Sequence, residues 1–449
     1  MLSDTKVYDV GIIGGGVTGT AIAYTLTFTN IKSAFLLEKE NDVAQVNSNT
    51  LSNAQTLHGG DTETNFGLEK ALRMRDAERI LSAFLEKFGT NSFLRLPKMA
   101  LGVGEEEVAL LGKRFELLKE HYPTLRLLGR KEIQTVEPDL LAGRDPSVPM
   151  AALFRFSGYA VDYYELAKCF VKETTRVSND IIFSFNIKTK RVVKKDGVFE
   201  VETGRGTYKC KVLIVAAGPY SLLFAHSLGY AKEYTILPVA GSFYWARNLL
   251  IAKVYTVQDP KFPFAAPHAD PAIHHLDLMR FGPTAKVLPM MERHHWWTII
   301  DFMRTGILSC KGIKAIFKIL NDKDMIRFII RNFIYDLPII GKWSFLKNAA
   351  RKIIPSLKYK DLKLAKGAGG IRPQLVNTET GKLEMGTGKF MGENCIFNIT
   401  PSPGASDCLR SAVSDIKKCV EFLGPGFSFD EDTFCQELGL SLHTQVSSK

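Results

Sequence analysis

Gly14, Gly16 and Gly19 stand at the spacing that lets a backbone wrap a pyrophosphate, and Glu38 follows nineteen residues after the last of them. Each residue has its own task. Gly14 permits a tight turn, Gly16 brings backbone N–H groups against the phosphates, and Gly19 lets a helix pack closely on a strand. The anion would lie at a helix N-terminus, where unpaired N–H groups and the helix dipole favour negative charge. Glu38, with Lys39 beside it, would accept the hydroxyls of an adenosine ribose. The elements that must position these groups surround them. An apolar strand, VYDVGIIGGG, leads into a helix of small residues (Thr20, Ala21, Ala23), and a second apolar strand, AFLLEKE, ends on the acid. Strand, helix, strand and carboxylate in register predict a dinucleotide-binding unit.

Two features favour FAD over NAD as the dinucleotide. The motif lies at the start of the chain, and a second apolar strand ending in small residues appears far downstream, YKCKVLIVAAGP, with Ala217 and Gly218 placed to pass under the phosphate loop. The segment before it alternates like a small antiparallel meander with a KKDG turn. Such a meander covers the adenine in glutathione-reductase-like flavoproteins, which makes Thr189 the adenine-side residue; an ordinary strand pair is the alternative. FAD is expected to be held without a covalent bond.

Other polar groups cluster in three places. The loop 43–65 after the ribose-binding acid is rich in Ser, Asn, Gln and Thr. It runs from the pyrophosphate toward the flavin ring, with Ser48 and Asn53 as cofactor contacts, Gln55 as a substrate contact and His58 as a base or hydrogen-bond donor. His268 sits in a Pro-rich turn between strand-like segments and would line the pocket. His274, His275, His294 and His295 look less constrained. Arg372 follows a Gly-rich approach, KGAGGIRP, and offers a planar fork for a carboxylate. Pro403, Gly404 and Ala405 open an amphipathic helix over 408–422, whose N-terminal N–H groups would face the flavin edge that gains negative charge on reduction. No metal-ligand spacing is present, and none is expected.

These residues carry a resemblance. The chain resembles the D-amino-acid-oxidase-like flavoproteins, which share an N-terminal GxGxxG, a discontinuous FAD domain and a late G-[IL]-R-P. Within them it is most similar to the malate:quinone oxidoreductase family. The similar stretches run in order along nearly the whole chain: DVGIIGGGVTGTA, the VAQ…NAQTLHGG…ETN loop, KMALGVG, LPVAGSFY, KVYTVQDPKFPFAAPHADP, FGPTA, DLPIIGK, KIIPSL, GGIRPQL, GKLEMG and NITPSPGAS. There are departures. LSNAQTLH stands where longer members read WNNAGTGH, and Pro267 replaces a small apolar residue.

The resemblance implies oxidation of (S)-malate to oxaloacetate, with electrons leaving through FAD to a membrane quinone. Arg372 would clamp a carboxylate. His58 or His268 would accept the hydroxyl proton, the latter from the substrate-domain side. A sibling reading is an FAD-dependent L-2-hydroxyglutarate dehydrogenase or oxidase, whose substrate is one methylene longer; such a difference is worth only about 1–3 kcal/mol in a pocket. The expected fold is α/β: a discontinuous Rossmann-like FAD-binding domain (1–80, 150–229 and 365–449) and a second α+β domain (81–149 and 230–364) facing substrate and membrane.

Composition agrees with a two-domain enzyme. The 449 residues are 45% hydrophobic and 23% charged, enough to bury two cores. Seven scattered cysteines without a CxxC pair suggest a reducing compartment. The net charge of +11 is concentrated in 301–366, where fifteen Lys and Arg stand against five Asp. There Ile313, Ile316, Phe317, Ile319 and Leu320 share a helical face beside Lys311, Lys314 and Lys318. A basic, apolar helix suits an anionic membrane surface; a buried helical subdomain with a solvated basic face is the alternative. No nucleic-acid motif accompanies the charge. With no signal peptide and no apolar run of about 18 residues, the expected location is peripheral, on the cytoplasmic side of a membrane.

Overall fold

The computed structural model describes residues 6–258, 266–384, 388–399 and 403–440. The Pro-rich stretch 259–265 and parts of the GKLEMG and NITPSPGAS stretches lie outside them.

The first expected element is the strand Val7–Ile13, which pairs in parallel with Ala34–Leu37 on one side and Gly206–Val215 on the other. Ile181–Ser184 and Cys395–Asn398 extend this parallel sheet at its two edges. Parallel strands are covered on both faces, so they read as continuous apolar runs; Val10, Ile12, Leu36, Val212 and Ile214 are all fully buried. The helix Val17–Leu26 packs across them with all ten residues buried, beside Cys408–Leu423 and Tyr163–Val177. Each fully buried aliphatic side chain contributes about 1.5–3 kcal/mol, which holds the phosphate loop rigid at the sheet's C-terminal edge. The meander Thr189–Lys195, Val198–Thr203, Gly206–Val215 hangs from the same sheet. Its KKDG turn has Asp196 and Gly197 at positive φ, 50° and 80°, the geometry of a two-residue hairpin.

A second eight-stranded sheet stands beyond the first, ordered from Lys363–Leu364 through Tyr244–Arg247, His275–Gly282, His268–Ala272, Lys253–Thr256, Phe93–Val103 and Met150–Val161 to Arg126–Gly129. Met150–Val161 therefore belongs to this sheet and not to the nucleotide-side one. A smaller four-stranded sheet centres on Tyr234–Ala240 and Ile371–Asn377, paired antiparallel with Val239 opposite Arg372. The helices Cys310–Leu320 and Lys323–Ile334 lie on it, burying Ala315, Ile319, Met325 and Phe328 against Leu237, Val239 and Val376. Ser309 and Asp322 cap them, accepting the N–H groups of Gly312 at 3.0 Å and of Asp324 at 2.8 Å.

The apolar face expected on the first of these helices is divided. Ile319 turns inward with Ala315, while Ile313, Phe317 and Leu320 are exposed.

Candidate active site

One cavity of about 580 Å³ runs between the two large sheets. Gly14, Gly16, Glu38, Lys39, Ser48, Asn53, Gln55, His58, Thr189, Ala217, Gly218, His268, Arg372, Pro403, Gly404 and Ala405 all line it. Gly19 does not; it packs helix on strand, where a Cβ would meet Gly14 O at 1.9 Å.

At one end the backbone is shaped for a dinucleotide. Gly14 has φ +108°, and a Cβ on it would meet Ala216 O at 2.4 Å. Gly16 precedes the helix, and Ser48 Oγ accepts the N–H of Val17 at 3.2 Å. Glu38 Oε2 accepts the N–H of Gly15 at 2.6 Å and Oε1 that of Glu40 at 2.9 Å. Burial raises its carboxyl above the ordinary range, and those two bonds oppose the rise. Lys39 pairs with Glu292, which also accepts from Tyr220 OH at 2.8 Å and lies 2.9 Å from His295 Nδ1. Thr189 Oγ1 is buried at the cavity with no hydrogen-bond partner among the described residues. A cradle with no room for a Cβ, a ribose-side carboxylate and an orphan hydroxyl on the covering meander together suit the adenosine diphosphate half of FAD.

The loop 43–65 is built by its own side chains. Asn53 Nδ2 donates to Asn49 O at 2.9 Å and its Oδ1 accepts the N–H of Gln55 at 2.9 Å. Asn53 thus shapes the cavity wall, and Gln55 sits at φ +50° with its amide donating to Thr50 O at 3.2 Å. The helix begins at Cys408, as expected, with Asp407 before it turning its carboxylate to Arg410 Nε at 2.6 Å. Ser406 in the turn 403–407 accepts the N–H of His58 at 3.0 Å and donates to Thr56 O at 3.0 Å. The Gly-led turn itself, not the helix start, therefore lies against the cavity.

At the other end stand Arg372, His268 and His58. Arg372 projects from the strand Ile371–Asn377, and burial pushes its guanidinium down to about 10, so it stays charged at neutral pH. His268 is 5% exposed. Its ring packs against Tyr255 at 5.1 Å, and its Nε2 lies 3.6 Å from Asp270 Oδ1. Burial first, then the cation of Lys253, holds the imidazole well below its ordinary value, with Arg280 and Arg372 adding to the effect and Asp270 opposing it. It is neutral at pH 7. Lys253 is itself lowered to about 8 by burial.

Sequence reasoning missed several residues. Lys253, Asp270 and Arg280 meet only through strand register. Glu63, 2.7 Å from His58 Nδ1, was within reach as a carboxylate five residues on from a histidine. His274 and His295 are less free than expected, paired with Asp162 at 2.6 Å and with Glu292.

Fold and cavity define a class, a flavoprotein oxidoreductase. Residues 9–397 match the DAO family of FAD dependent oxidoreductases, and the chain belongs to that family. Among curated proteins it is 38% identical over 445 residues to the probable malate:quinone oxidoreductase of Campylobacter jejuni, covering 96% of this chain and 99% of that one; within the DAO family it is a member of the malate:quinone oxidoreductases. The human mitochondrial L-2-hydroxyglutarate dehydrogenase is more distant, 23% identical over 91% of this chain and 87% of its own length. Among solved structures, the L-alpha-glycerophosphate oxidase of Mycoplasma pneumoniae with FAD bound has the same fold, with a TM-score of 0.62 at 18% identity, covering 95% and 97% of the two chains.

Proposed function

We propose that this protein oxidises (S)-malate to oxaloacetate and passes the electrons through FAD to a quinone in the membrane. The observation that carries the reading is the placement of a charged arginine, Arg372, and a neutral imidazole, His268, in the same cavity as the FAD cradle, within a chain similar to malate:quinone oxidoreductases over its whole length. FAD, once held there, supplies the two-electron acceptor. The chain's residues do the rest. Arg372 binds one carboxylate of the dicarboxylate through paired N–H donors, and His268 adds a hydrogen-bonding ring without competing for charge. Tyr255, Gln55 and His58 close the space around the alcohol carbon.

The test is an anaerobic titration of the purified holoenzyme with (S)-malate, following flavin absorbance. Bleaching that a quinone analogue reverses, and NAD does not, supports the reading. A yellow protein bleached by L-2-hydroxyglutarate and not by malate overturns it in favour of the sibling substrate.

The acceptor dissolves in lipid, which gives the surface around 296–343 a purpose. Fifteen of the twenty-four exposed large apolar side chains among the described residues lie there, including Trp296, Trp297, Phe317, Phe333, Ile339, Ile340 and Trp343. They are interleaved with Lys314, Arg327, Arg331, Lys342 and Lys347. Apolar side chains turned outward beside a row of bases suit the interface of an anionic bilayer. No helix among the described residues is long and apolar enough to cross a membrane; we place the attachment at the membrane surface, on its cytoplasmic side. Flotation with vesicles of varied lipid charge tests it: protein that stays with the soluble fraction at every composition refutes the docking.

A further inference from the structure

Behind His58 lies a buried acid with no part in the reading above. Glu63 Oε1 is 2.7 Å from His58 Nδ1, and Oε2 accepts the N–H of Gly60 at 2.8 Å. The turn between them is possible because Gly60 takes φ +83°, and a Cβ there would meet Ala71 O at 2.3 Å. Arg114 locks the turn at both ends, donating to Gly60 O at 3.0 Å and Phe66 O at 2.6 Å. His58 itself is fixed by its backbone N–H on Ser406, so ring and carboxylate are each held from outside.

The neighbouring charges leave Glu63 available to the histidine. Lys98 and Arg155 are fully engaged with a different pair of acids: Lys98 lies 3.2 Å from Asp61 and 3.0 Å from Glu78, and Arg155 lies 2.8 Å from each. Among the described residues, His58 is the one side chain that hydrogen-bonds Glu63. Other charged and titratable groups face it without bonding to it: Asp61 from the same loop, Lys98, Arg155 and Tyr255 from strands, Lys70 and Arg114 from the helices 68–88 and 105–118, and Tyr122 just beyond the second of them.

We infer that Glu63 is a positioning residue for proton transfer: it holds His58 with Nδ1 protonated, which leaves Nε2 as the nitrogen that takes the hydroxyl proton of the bound 2-hydroxy acid. The inference rests on the malate reading for its substrate. In the step, the alcohol O–H bond breaks and its proton passes to His58 Nε2. The C2 hydrogen would leave with the electron pair of its bond, as hydride, to the two-electron acceptor that bound FAD supplies, while the O–H pair becomes the second bond of the ketone. The proton on His58 then returns to solvent. A carboxylate against Nδ1 stabilises the imidazolium so formed.

His268 lacks this support. A proton added there would stand among Lys253, Arg280 and Arg372, and the nearby acid, Asp270, is already shared by Lys253 at 3.2 Å and Arg280 at 3.1 Å. His268 therefore stays a neutral hydrogen-bonding group through the reaction.

The experiment compares the holoenzyme with Glu63→Gln, Glu63→Asp and His58→Gln, each checked for bound FAD by its visible spectrum. Glu63→Gln should lower the limiting rate of flavin bleaching by malate roughly 10- to 100-fold, a share of the 10²–10⁴ typical of a general base. Its half-saturating malate should change less than about threefold, on the scale of uniform binding effects, and the acid limb of its rate profile should move to lower pH. Glu63→Asp should recover part of the rate. An unchanged rate and limb in Glu63→Gln, or a loss confined to malate saturation, overturns the inference.

A second readout needs no turnover and no Glu63 variant to fold. In ¹⁵N spectra of histidine-labelled wild-type protein, the signal lost in His58→Gln should show Nδ1 protonated and Nε2 bare at alkaline pH. The opposite tautomer overturns the inference. If the wild type is bleached by another 2-hydroxy acid and not by malate, the functional reading fails while the His58–Glu63 assignment is still judged by the tautomer.

Discussion

Asn47 Oδ1 accepts the backbone N–H of Ile371 at 3.0 Å, joining the loop after Glu38 to the strand that carries Arg372. The two segments are 324 residues apart in sequence, and Gly370 is the residue that lets them touch, since a Cβ there would meet Asn47 Oδ1 at 2.7 Å. Together with the N–H of Gly369 on Leu51 O at 2.7 Å, this bond ties the loop 43–65 to the strand of Arg372. Asn47→Ala removes about 1 kcal/mol of such a bond. The half-saturating malate concentration should rise roughly fivefold, from 1.4 kcal/mol per factor of ten, with FAD still bound and the limiting bleaching rate little changed. Stopped-flow titration separates the two parameters.

Gly14→Ala should abolish cofactor retention rather than turnover as such. The position demands φ +108° and offers a Cβ no space against Ala216 O, so the variant must move the strand end that brings Ala217 and Gly218 beneath the phosphates. The ratio of flavin to protein absorbance after gel filtration reads this directly: a variant that keeps one FAD per chain would show that the loop tolerates the displacement.

The phosphate cradle was legible because its requirements are local. Gly14, Gly16 and Glu38 act through backbone geometry and a spacing that strand and helix lengths impose, and the meander announced itself by alternation and the KKDG turn. The substrate end was legible only as residue types. Arg372 and the two histidines all line the cavity; Glu63, beside His58, is local to the same loop, while Lys253, Asp270 and Arg280, which surround His268, come together only through register between separate strands. The helix start at Cys408 was legible, but not that the turn before it, through Pro403, Gly404, Ala405 and Ser406, is the part that lines the cavity. The outward face of 310–320 was only half visible, because periodicity shows which residues share a side and not which side a sheet will cover.

Glu137 gives the fold a pH dependence of its own. It is 1% exposed, and its Oε1 accepts the N–H groups of Ile251, at 2.9 Å, and Ala252. Burial raises the carboxyl to about 7, against the pull of those two bonds. An acid whose folded value lies above its unfolded one, about 4.3, stabilises the fold most at low pH; that contribution declines as pH rises from about 4.3 and is lost once pH passes about 7. Glu137→Gln keeps an acceptor oxygen without the charge. The variant should melt a few degrees above wild type at pH 8, by about 1–3 kcal/mol, and the gap should close toward pH 5. Differential scanning calorimetry across that range checks it; an equal gap at both ends would mean that packing, not ionisation, is at stake.

Trp296, Ile339, Ile340 and Trp343 are each more than half exposed, so replacing them costs the core nothing. If the surface docks in a bilayer, each contributes on the order of 1.5 kcal/mol or more by leaving water, while each nearby base adds about 1 kcal/mol and only against anionic lipid. The two contributions separate by experiment. Serine at all four apolar positions should release the protein from vesicles of any charge, whereas Lys314→Glu with Lys342→Glu and Lys347→Glu should release it from anionic vesicles at low salt and matter less as salt screens the surface. Malate oxidation coupled to a short, water-soluble quinone should survive both sets, because no substituted side chain belongs to the cavity. Oxidation coupled to a long-chain quinone in vesicles should fall with the serine set. Should long-chain turnover persist in protein that no longer floats with lipid, the apolar surface serves another purpose and the quinone reaches the flavin by a route that needs no docking.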